Sequence, residues 1–293
     1  MAVVVAGLSQ GRNRYKYEFI GGIGPTNFLG ELGGANQVGT HFLRDFDFNS
    51  TRFCLDGGVR YKNHPFLAAK AMLSFAMLSG SDALTTEKYR HNRNLNFRSP
   101  IVELSVQGEF YFLKEKTKKV YTISGLNGSK KRKRNLSAYL FAGVGAFFYN
   151  PKGKYNGTWY SLRKLHTEGQ GLPGGPAQYS NFNICIPVGV GMKYLVNKKW
   201  SVGAEISVRK TFTDYIDDVS TRYYDKTALA NAYGTQAAQL ADPSLGQVKD
   251  ATSPNADGTG AQRGNPKYKD AYMFLTVNIG YKFTRAHRTR AKF

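Results

Sequence analysis

Histidine, aspartate and serine are the side chains of this chain that could support hydrolytic chemistry, and they are scattered. All five histidines lie outside the apolar stretches. His41 is followed by Asp45 and Asp47. His91 precedes Ser99. Each is a partial set of the groups that nucleophilic or acid–base catalysis requires. Histidines in polar segments are more often simply solvated, so we predict that the protein is not an enzyme.

Metal binding is the second chemistry that the residue types allow. No histidine has a cysteine or a second histidine at the spacing of a zinc site. Four aspartates do lie close together in the chain: Asp214, Asp217, Asp218 and Asp225. Carboxylates are ligands that calcium prefers, but turn formation and pairing with neighbouring arginines is the interpretation we favour. We predict no metal and no cofactor.

The clearest secondary-structure signal in the sequence is the stretch AYMFLTVNIGYKF, residues 271–283. Apolar residues occupy every second position from Met273 to Phe283, which is the period of a β-strand. A strand of a soluble sheet is usually about 5–6 residues long, whereas about 9–11 residues cross a bilayer. The alternation here continues long enough to cross a membrane.

Seven further segments show a comparable pattern. Residues 138–149 are apolar on both sides, which leaves their orientation undecided. Residues 66–78 are rich in alanine, so a helix is the alternative there. Pro187 lacks a backbone N–H and predicts a bulge or local irregularity. The seven segments are residues 15–24, 51–61, 66–78, 101–113, 138–149, 181–194 and 200–212.

An even number of long strands with one apolar face predicts an all-β fold, an eight-stranded antiparallel transmembrane β-barrel. A soluble sandwich would also alternate, but the connections favour the barrel. Long connections at residues 25–50, 79–100, 150–180 and 213–270 share one rim, and the other rim has short turns. Long extracellular loops and short periplasmic turns are typical of multi-pass proteins of the bacterial outer membrane. The connection 114–137 is the exception, because it is long and periplasmic.

The polar faces of the strands carry charges of both signs. The interior of an eight-stranded barrel is just wide enough for side chains to fill, and an unpaired buried charge is strongly destabilising. We therefore predict charges that pair across a filled lumen, with a narrow conduit for small ions as the alternative. The predicted network consists of Glu18, Arg52, Asp56, Arg60, Lys70, Glu103, Glu109, Lys193, Glu205, Arg209 and Lys282.

Both cysteines, Cys54 and Cys185, fall on the luminal side by the same alternation. They lie on the second and sixth strands, which face one another across an eight-stranded ring. A disulfide needs Cα atoms within about 7 Å, and opposite walls are further apart. We predict free thiols.

The net charge of +21 raises the question of nucleic acid as a partner. The sequence contains no nucleic-acid-binding motif, and its densest basic run lies between two strands. We predict no nucleic acid and no small-molecule substrate, and outer-membrane lipid as the surroundings. The basic residues of the periplasmic connection are instead candidates for binding a partner or anionic headgroups: Lys114, Lys116, Lys118, Lys119, Lys130, Lys131, Arg132, Lys133 and Arg134.

The ends and the last connection complete the domain organisation. Residues 1–11 have a short apolar stretch but no basic start, so a signal-peptide remnant and a frayed terminus are both open. Residues 12–293 form the barrel, with a basic periplasmic tail at 284–293. The polar connection 228–270 lacks periodicity and is predicted to be mobile or partly disordered.

Several of these segments resemble PorG-type proteins, small outer-membrane barrels of the type IX (Por) secretion and gliding-motility machinery. The resemblance covers nearly the whole chain after Arg14. It is carried by TNFLGELGG (26–34), HFLRDFDF (41–48), RNLNFRSPIVEL (93–104) and TFTDYIDDVSTRYYD (211–225). The most specific part is TDYIDDVS, with the signature residues Asp214, Tyr215, Asp217 and Asp218.

The resemblance implies a non-enzymatic component of the type IX system. PorG-type barrels associate with the periplasmic ring of the PorK lipoprotein and PorN and help tie it to the outer membrane. The chain departs from this family in its poor signal peptide and in the large insert in its last connection. A surface adhesin or ligand-binding barrel is the alternative function, followed by a small channel.

Overall fold

The computed structural model describes residues 16–32, 50–62, 64–115, 135–248 and 260–283. Among these residues, no helix is both long and apolar enough to cross a membrane. The predicted terminal segments 1–11 and 284–293 lie outside the described residues. So do eight of the nine basic residues predicted to bind a partner: Lys116, Lys118, Lys119, Lys130, Lys131, Arg132, Lys133 and Arg134.

Ten β-strands make up the described sheet. In chain order they are β1 (Tyr17–Leu29), β2 (Arg52–Tyr61), β3 (Leu67–Ser81), β4 (Asn96–Leu113), β5 (Leu136–Tyr149), β6 (Lys152–Tyr155), β7 (Thr158–Ser161), β8 (Phe182–Leu195), β9 (Trp200–Thr211) and β10 (Ala271–Phe283). β6 and β7 form a short hairpin that joins the sheet through one pair, Arg98 with Lys152. The other eight correspond to the eight segments predicted from alternation. The helical alternative for residues 66–78 is therefore wrong.

The eight long strands close into a ring. Each pairs antiparallel with the next long strand in the chain, and β8 follows β5 in this order. The ring closes between the first and last strands, where Tyr17 faces Phe283 and Leu29 faces Ala271. A closed sheet leaves no unpaired edge, which is what lipid requires of a β-structure. The predicted eight-stranded barrel is confirmed.

Side chains alternate between the outer wall and the lumen, as β4 illustrates. Leu104 and Val106 are 63% and 59% exposed, whereas Glu103 and Ser105 are buried. An apolar exterior and a polar interior reverse the arrangement of a soluble protein. They are typical of a barrel that is surrounded by lipid.

The orientation of β5, which the sequence leaves open, is set by aromatic packing in the lumen. Tyr139 and Phe141 are buried, and Leu140 between them is exposed to the outside. Their partners across the β5–β8 ladder are Gly191 and Gly189. A Cβ atom at either glycine would lie 2.5 Å from an atom of the facing ring. Glycine on β8 therefore makes room for the two rings.

Pro187 interrupts the ladder between β5 and β8 without changing its register. The pairs run to Ala142 opposite Val188 and resume at Gly145 opposite Cys185. On its other side, Pro187 still pairs with β9. The predicted irregularity is therefore a gap of missing pairs and not a bulge.

The two ends of the barrel differ in their connections. We call the end at which β2, β4 and β8 end and β3, β5 and β9 begin the inner rim, and the opposite end the outer rim. The described parts of the connections at the outer rim fold into what we call the outer cap. It comprises the β6–β7 hairpin, a 3-10 turn (Asp82–Leu84), α1 (Lys88–Arg93), α2 (Leu162–Leu165), α3 (Lys226–Tyr233) and α4 (Thr235–Ala241).

The prediction of a mobile or partly disordered connection at 228–270 is wrong for its described part. Two short helices, α3 and α4, occupy its first third, and Arg263 near its end is buried. The helices are too short to give a clear period in the sequence. They are held by a small apolar cluster of Leu229, Ala238 and Ala241 with Leu172, Tyr224, Ala230 and Tyr233.

Candidate functional site

The outer wall of the barrel is a continuous apolar surface. Ile23, Val144 and Val277 are each more than half exposed. Aromatic rings border this surface at the inner rim, in the contacts Tyr17 with Tyr61 and Phe283, and Trp200 with Tyr281. An apolar band flanked by aromatic rings is the surface that an outer-membrane barrel presents to lipid. The protein is a multi-pass β-barrel of the bacterial outer membrane.

Arg60 is the centre of an ion-pair cluster in the inner half of the lumen. Its guanidinium donates to Glu109 at 2.9 Å and to Glu18 at 2.9 Å. It also lies 3.3 Å from a carboxylate oxygen of Glu205. Arg60 is 1% exposed. The planar guanidinium has five N–H donors, so one arginine can serve three carboxylates at once.

Two lysines balance the charge around Arg60. The Lys70 ammonium lies 2.7 Å from Glu205, and the Lys193 ammonium lies 2.9 Å from Glu18. Three cations therefore meet three carboxylates drawn from six different strands. We call Glu18, Arg60, Lys70, Glu109, Lys193 and Glu205 the lumen cluster.

A second ion pair fills the outer half of the lumen. Arg209 lies 3.2 Å from Glu103, which also accepts a hydrogen bond from the Tyr272 hydroxyl at 2.9 Å. The guanidinium of Arg209 sits 3.8 Å from the centroid of the Phe274 ring, where the ring face attracts a cation. Beyond this pair, an apolar cluster continues towards the outer rim and includes Phe28, Phe97, Phe147 and Tyr149.

The predicted network has three further members. Arg52 is exposed at the outer end of β2, where its side chain donates to the Thr51 carbonyl at 2.8 Å. Arg52 is therefore not buried as predicted. Asp56 is half-buried in β2. Lys282 pairs with Glu115 at 3.2 Å, at the inner rim.

The two cysteines lie inside the barrel. Cys54 and Cys185 are both buried, and both are free thiols. Cys54 donates to the Gly24 carbonyl at 3.3 Å, while Cys185 lies 3.9 Å from the Tyr272 hydroxyl.

The TDYIDDVS segment ties the base of the outer cap to the barrel. Asp217 accepts hydrogen bonds from the backbone N–H groups of Leu32 at 3.3 Å and Val219 at 3.0 Å. Ile216 is fully buried, and its N–H donates to the Asp270 carboxylate at 2.9 Å. The segment thereby joins the end of β1 to the start of β10.

The remaining signature residues hold the connection between β5 and β8. Asp218 accepts hydrogen bonds from the hydroxyls of Tyr179 and Thr167. Its φ of 67° lies in the left-handed region, where aspartate is better tolerated than most residues. The ring of Tyr215 stacks on Tyr179 with centroids 4.4 Å apart. Asp217 and Asp218 thus act as hydrogen-bond acceptors for their own chain.

Arg263 is the centre of the cap. It lies 2.9 Å from Glu168 and 3.7 Å from Asp218, and it is 2% exposed. Glu168 in turn accepts the backbone N–H of Ser220 at 2.9 Å. Sequence reasoning missed this pair, because both residues occur in Gly-rich polar stretches without periodicity. No local signal in the sequence relates one to the other.

Burial raises the pKa of several carboxyl groups in the cap. The pKa of Asp214 rises to about 8 for this reason. Burial also raises the pKa of Asp218, but only to about 6, because the neighbouring Arg263 partly opposes the effect of burial. Burial and nearby carboxyl groups also raise the pKa of Asp217 and Asp270. The cap thus contains carboxyl groups that hold protons near neutral pH.

The residues considered for catalysis are not brought together. Ser99 is buried in the lumen, and its hydroxyl has no hydrogen-bond partner among the described residues. His91 lies in α1, and His166 stacks on Tyr233. His41, with Asp45 and Asp47, falls outside the described residues. Within the part of the chain that the structure describes, no group of three or more His, Cys, Asp or Glu residues is arranged to hold a metal ion.

Comparison with protein families matches residues 16–234 to a family described as a domain of unknown function (DUF6089). The chain belongs to the DUF6089 family. The match ends before β10, so the strand that closes this DUF6089 barrel lies beyond it. No relative was found among curated proteins.

Solved structures similar to this DUF6089 chain include three bacterial membrane or surface proteins. The outer-membrane protein OprG from Pseudomonas aeruginosa is 11% identical, with 94% of this chain and 99% of that chain covered and a TM-score of 0.38. The attachment invasion locus protein Ail of Yersinia pestis is 11% identical, covering 92% and 99%, with a TM-score of 0.37. Neisserial surface protein A is 7% identical, covering 91% and 96%, with a TM-score of 0.37. These scores are low, and the fold rests on the strand pairing of the chain itself.

Charge is divided unevenly between the two rims of this DUF6089 barrel. The segments at the inner rim hold 20 of the 41 lysines and arginines but one of the 20 acidic residues, Glu115. Those at the outer rim hold 14 of each sign. The sequence segments that adjoin the inner-rim ends of the strands therefore carry a surplus of 19 out of the net charge of +21. The inner-rim segments are residues 1–16, 62–66, 114–135, 196–199 and 282–293, and the outer-rim segments are 30–51, 82–95, 150–181 and 212–270.

Proposed function

We propose that the protein is a non-enzymatic outer-membrane component of the type IX secretion system that binds the periplasmic ring of PorK and PorN. The observation that carries this proposal is the surplus of 19 positive charges at the inner rim. The strands and the outer rim nearly balance their own charges. A surplus confined to the periplasmic end favours binding to acidic protein surfaces or anionic headgroups there.

The lumen cluster supports a structural role for the barrel. Arg60 and its three carboxylate partners cross the inner half of the lumen, and Arg209 and Glu103 occupy the outer half. Side chains held by several charge-assisted hydrogen bonds are poorly suited to making way for ions. We expect the purified barrel to show no steady conductance in planar bilayers. A stable open channel would favour the ion-conduit alternative.

The assignment to the type IX system rests on the resemblance to PorG-type proteins, whose most specific segment is TDYIDDVS. In this chain that segment anchors the outer cap, and it does not contact the inner rim. The resemblance therefore suggests that the protein works in the type IX system. The charge of the inner-rim segments suggests that this end of the barrel binds the periplasmic ring.

The decisive experiment neutralises the basic run KKRKR by changing Lys130, Lys131, Arg132, Lys133 and Arg134 to Gln in the full chain. We expect the yield of PorK and PorN that co-purify from detergent-solubilised membranes to fall by about tenfold or more, since each charge contributes on the order of a few tenths of a kcal/mol to 1 kcal/mol.

The matched control removes the same number of charges from the outer rim. Five exposed lysines serve: Lys88, Lys154, Lys164, Lys226 and Lys267. Their change to Gln should leave co-purification unchanged. Unchanged co-purification in the KKRKR variant would overturn the proposed contact.

A surface-binding function is the second candidate, and one observation favours it. The outer cap encloses an open hollow of about 880 Å³, lined in part by Glu168, Arg222, Tyr224 and Gln262. If the hollow binds a surface ligand, Arg222→Ala should reduce attachment of whole cells and leave type IX secretion intact. The opposite result, lost secretion with normal attachment, would favour the first function.

A further inference from the structure

Five side chains converge in the mouth of the barrel at the inner rim. Lys62, on the turn after β2, places its ammonium 3.6 Å from the centroid of the Tyr111 ring. The Lys193 ammonium lies 5.8 Å from the centroid of the same ring. Lys282 reaches Glu115 at 3.2 Å beside them. Because Tyr111 faces the lumen and is fully buried, Lys62 points into the barrel and not towards lipid.

Lys62 is the cation of this mouth that has no ion-pair partner among the described residues. Lys193 pairs with Glu18, and Lys282 pairs with Glu115. Lys62 forms no ion pair with any residue that the structure describes. The rest of the inner-rim sequence supplies no acidic side chain besides Glu115. The Tyr111 ring attracts the ammonium but carries no charge to pair with it.

The surroundings of Lys62 destabilise its protonated form. Burial lowers the pKa of Lys62 to about 8, and repulsion from Lys193 adds to this effect. Lys282 and Arg60 act in the same direction, and Glu115 opposes them. At neutral pH the ammonium is still protonated. An anion that reached it would relieve the repulsion and raise its pKa.

The direction of access determines which anion fits. Phospholipid headgroups surround the barrel outside its aromatic border, with their chains along the apolar wall. A phosphate there would have to cross over the rim to reach an ammonium above Tyr111. A carboxylate on a protein segment can instead enter from the periplasm along the barrel axis.

We propose that Lys62, with Lys282 and Glu115 beside it, forms an oxyanion-binding site in the inner mouth of the barrel, and that its ligand is a carboxylate side chain of a periplasmic protein. The site adds a single contact of defined geometry to the diffuse attraction of the basic rim. It rests on the proposed function only for the identity of the protein that supplies the carboxylate.

The test measures Lys62 directly in the full-length barrel. The protein is placed in nanodiscs of phosphatidylcholine, its lysines are ¹³C-methylated, and their resonances are followed while a hexaglutamate peptide is added. We expect the Lys62 resonance to move and its pKa to rise. We expect binding to weaken as the pH increases through about 8, because the ammonium then loses its proton.

Two variants distinguish a specific binding site at Lys62 from general electrostatic attraction by the basic rim. Lys62→Gln should weaken hexaglutamate binding by about tenfold or more, as expected for a specific charge contact. Lys198→Gln removes an exposed inner-rim lysine outside the mouth and should have a much smaller effect. Both variants should keep the heat-modifiable mobility of a folded barrel in gels. Equal losses in the two would overturn the site.

A lipid phosphate as the ligand of Lys62 would give a different result. A Lys62 resonance that moves when phosphatidylglycerol replaces phosphatidylcholine, and not when the peptide is added, would assign the site to a lipid phosphate and overturn the carboxylate. No ring protein is present in these measurements. Their failure is therefore distinguishable from a failure of PorK and PorN to co-purify.

Discussion

The two ends of the barrel use charge in opposite ways. The outer-rim segments carry 14 cations and 14 acids, and two ion pairs hold the cap together: Arg263 with Glu168, which is buried, and Arg93 with Asp82, in which only the aspartate is fully buried. The inner-rim segments carry 20 cations and one acid. Balanced charges therefore stabilise the fold at one end, whereas the surplus at the other end is available for binding something outside the chain.

The largest effect should come from the lumen, which lies between the two ends and is balanced. Arg60→Met leaves three buried carboxylates without their common partner, which should cost about 3–5 kcal/mol of unfolding free energy. Urea unfolding followed by the gel mobility of the barrel would measure it. Lys198→Met, at an exposed position on the turn between β8 and β9, should change it by less than about 0.5 kcal/mol. Equal midpoints would show that the cluster does not support the barrel.

The next effect concerns the cap alone. Arg263→Met should open the cap and speed proteinase K cleavage of the connection 212–270 by about tenfold or more, because it strands Glu168 and Asp218 as buried acids. The barrel itself should keep its urea midpoint. Lys226→Met is the control, since that lysine is 46% exposed in its pair with Asp242 and such pairs contribute about 0–1 kcal/mol. Similar cleavage of the two variants would remove the distinction between buried and exposed pairs.

A pH dependence should appear in the cap. The pKa of Asp214 is raised by burial from 3.8 to about 8, so the folded cap binds this proton more tightly than the unfolded connection does. Its contribution to stability is therefore complete at low pH and lost as the pH rises through about 8. Proteinase K should cleave the cap faster at about pH 9 than at about pH 6. Asp214→Asn cannot ionise and should flatten this response; an unchanged response would assign it to another group.

Salt concentration should affect binding at the inner rim and protection of the outer cap differently, and it requires no substitution in the chain. Raising NaCl from about 0.05 M to about 0.5 M shortens the screening length to a few Å, which weakens attraction by exposed charges more than pairing of buried ones. Co-purification of PorK and PorN through the inner rim should fall several-fold. Protection of the outer cap from proteinase K should stay within about twofold over the same range. Much faster proteinase K cleavage of the cap at high salt would contradict the expected difference between the two rims.

Alternation along the strands made most of the barrel predictable. Because the period of a strand is two residues, one exposed apolar position such as Leu104 fixes the side on which Glu103 and Ser105 lie. The facing of β5 was not predictable in this way. Glycines on β8, in a different part of the sequence, make room for Tyr139 and Phe141.

The outer cap was the least predictable part. Its order depends on pairs such as Arg263 with Glu168, which are distant in sequence and meet only after the barrel brings the connections together. Arg52 was misplaced because alternation gives a direction and not the height at which a wall ends. The charge difference between the rims is written in the sequence, and it becomes visible once the strand order assigns each connection to an end.

The pairing of β1 with β10 has a consequence for biogenesis. Until the 13 residues of β10 arrive, β1 and β9 each keep a row of backbone groups with no partner, and hydrocarbon cannot supply one. A polypeptide that stops before Ala271 therefore has no stable place in the bilayer, however many strands it already contains. Translation arrested near the end of the message should be as damaging to this protein as arrest near its beginning.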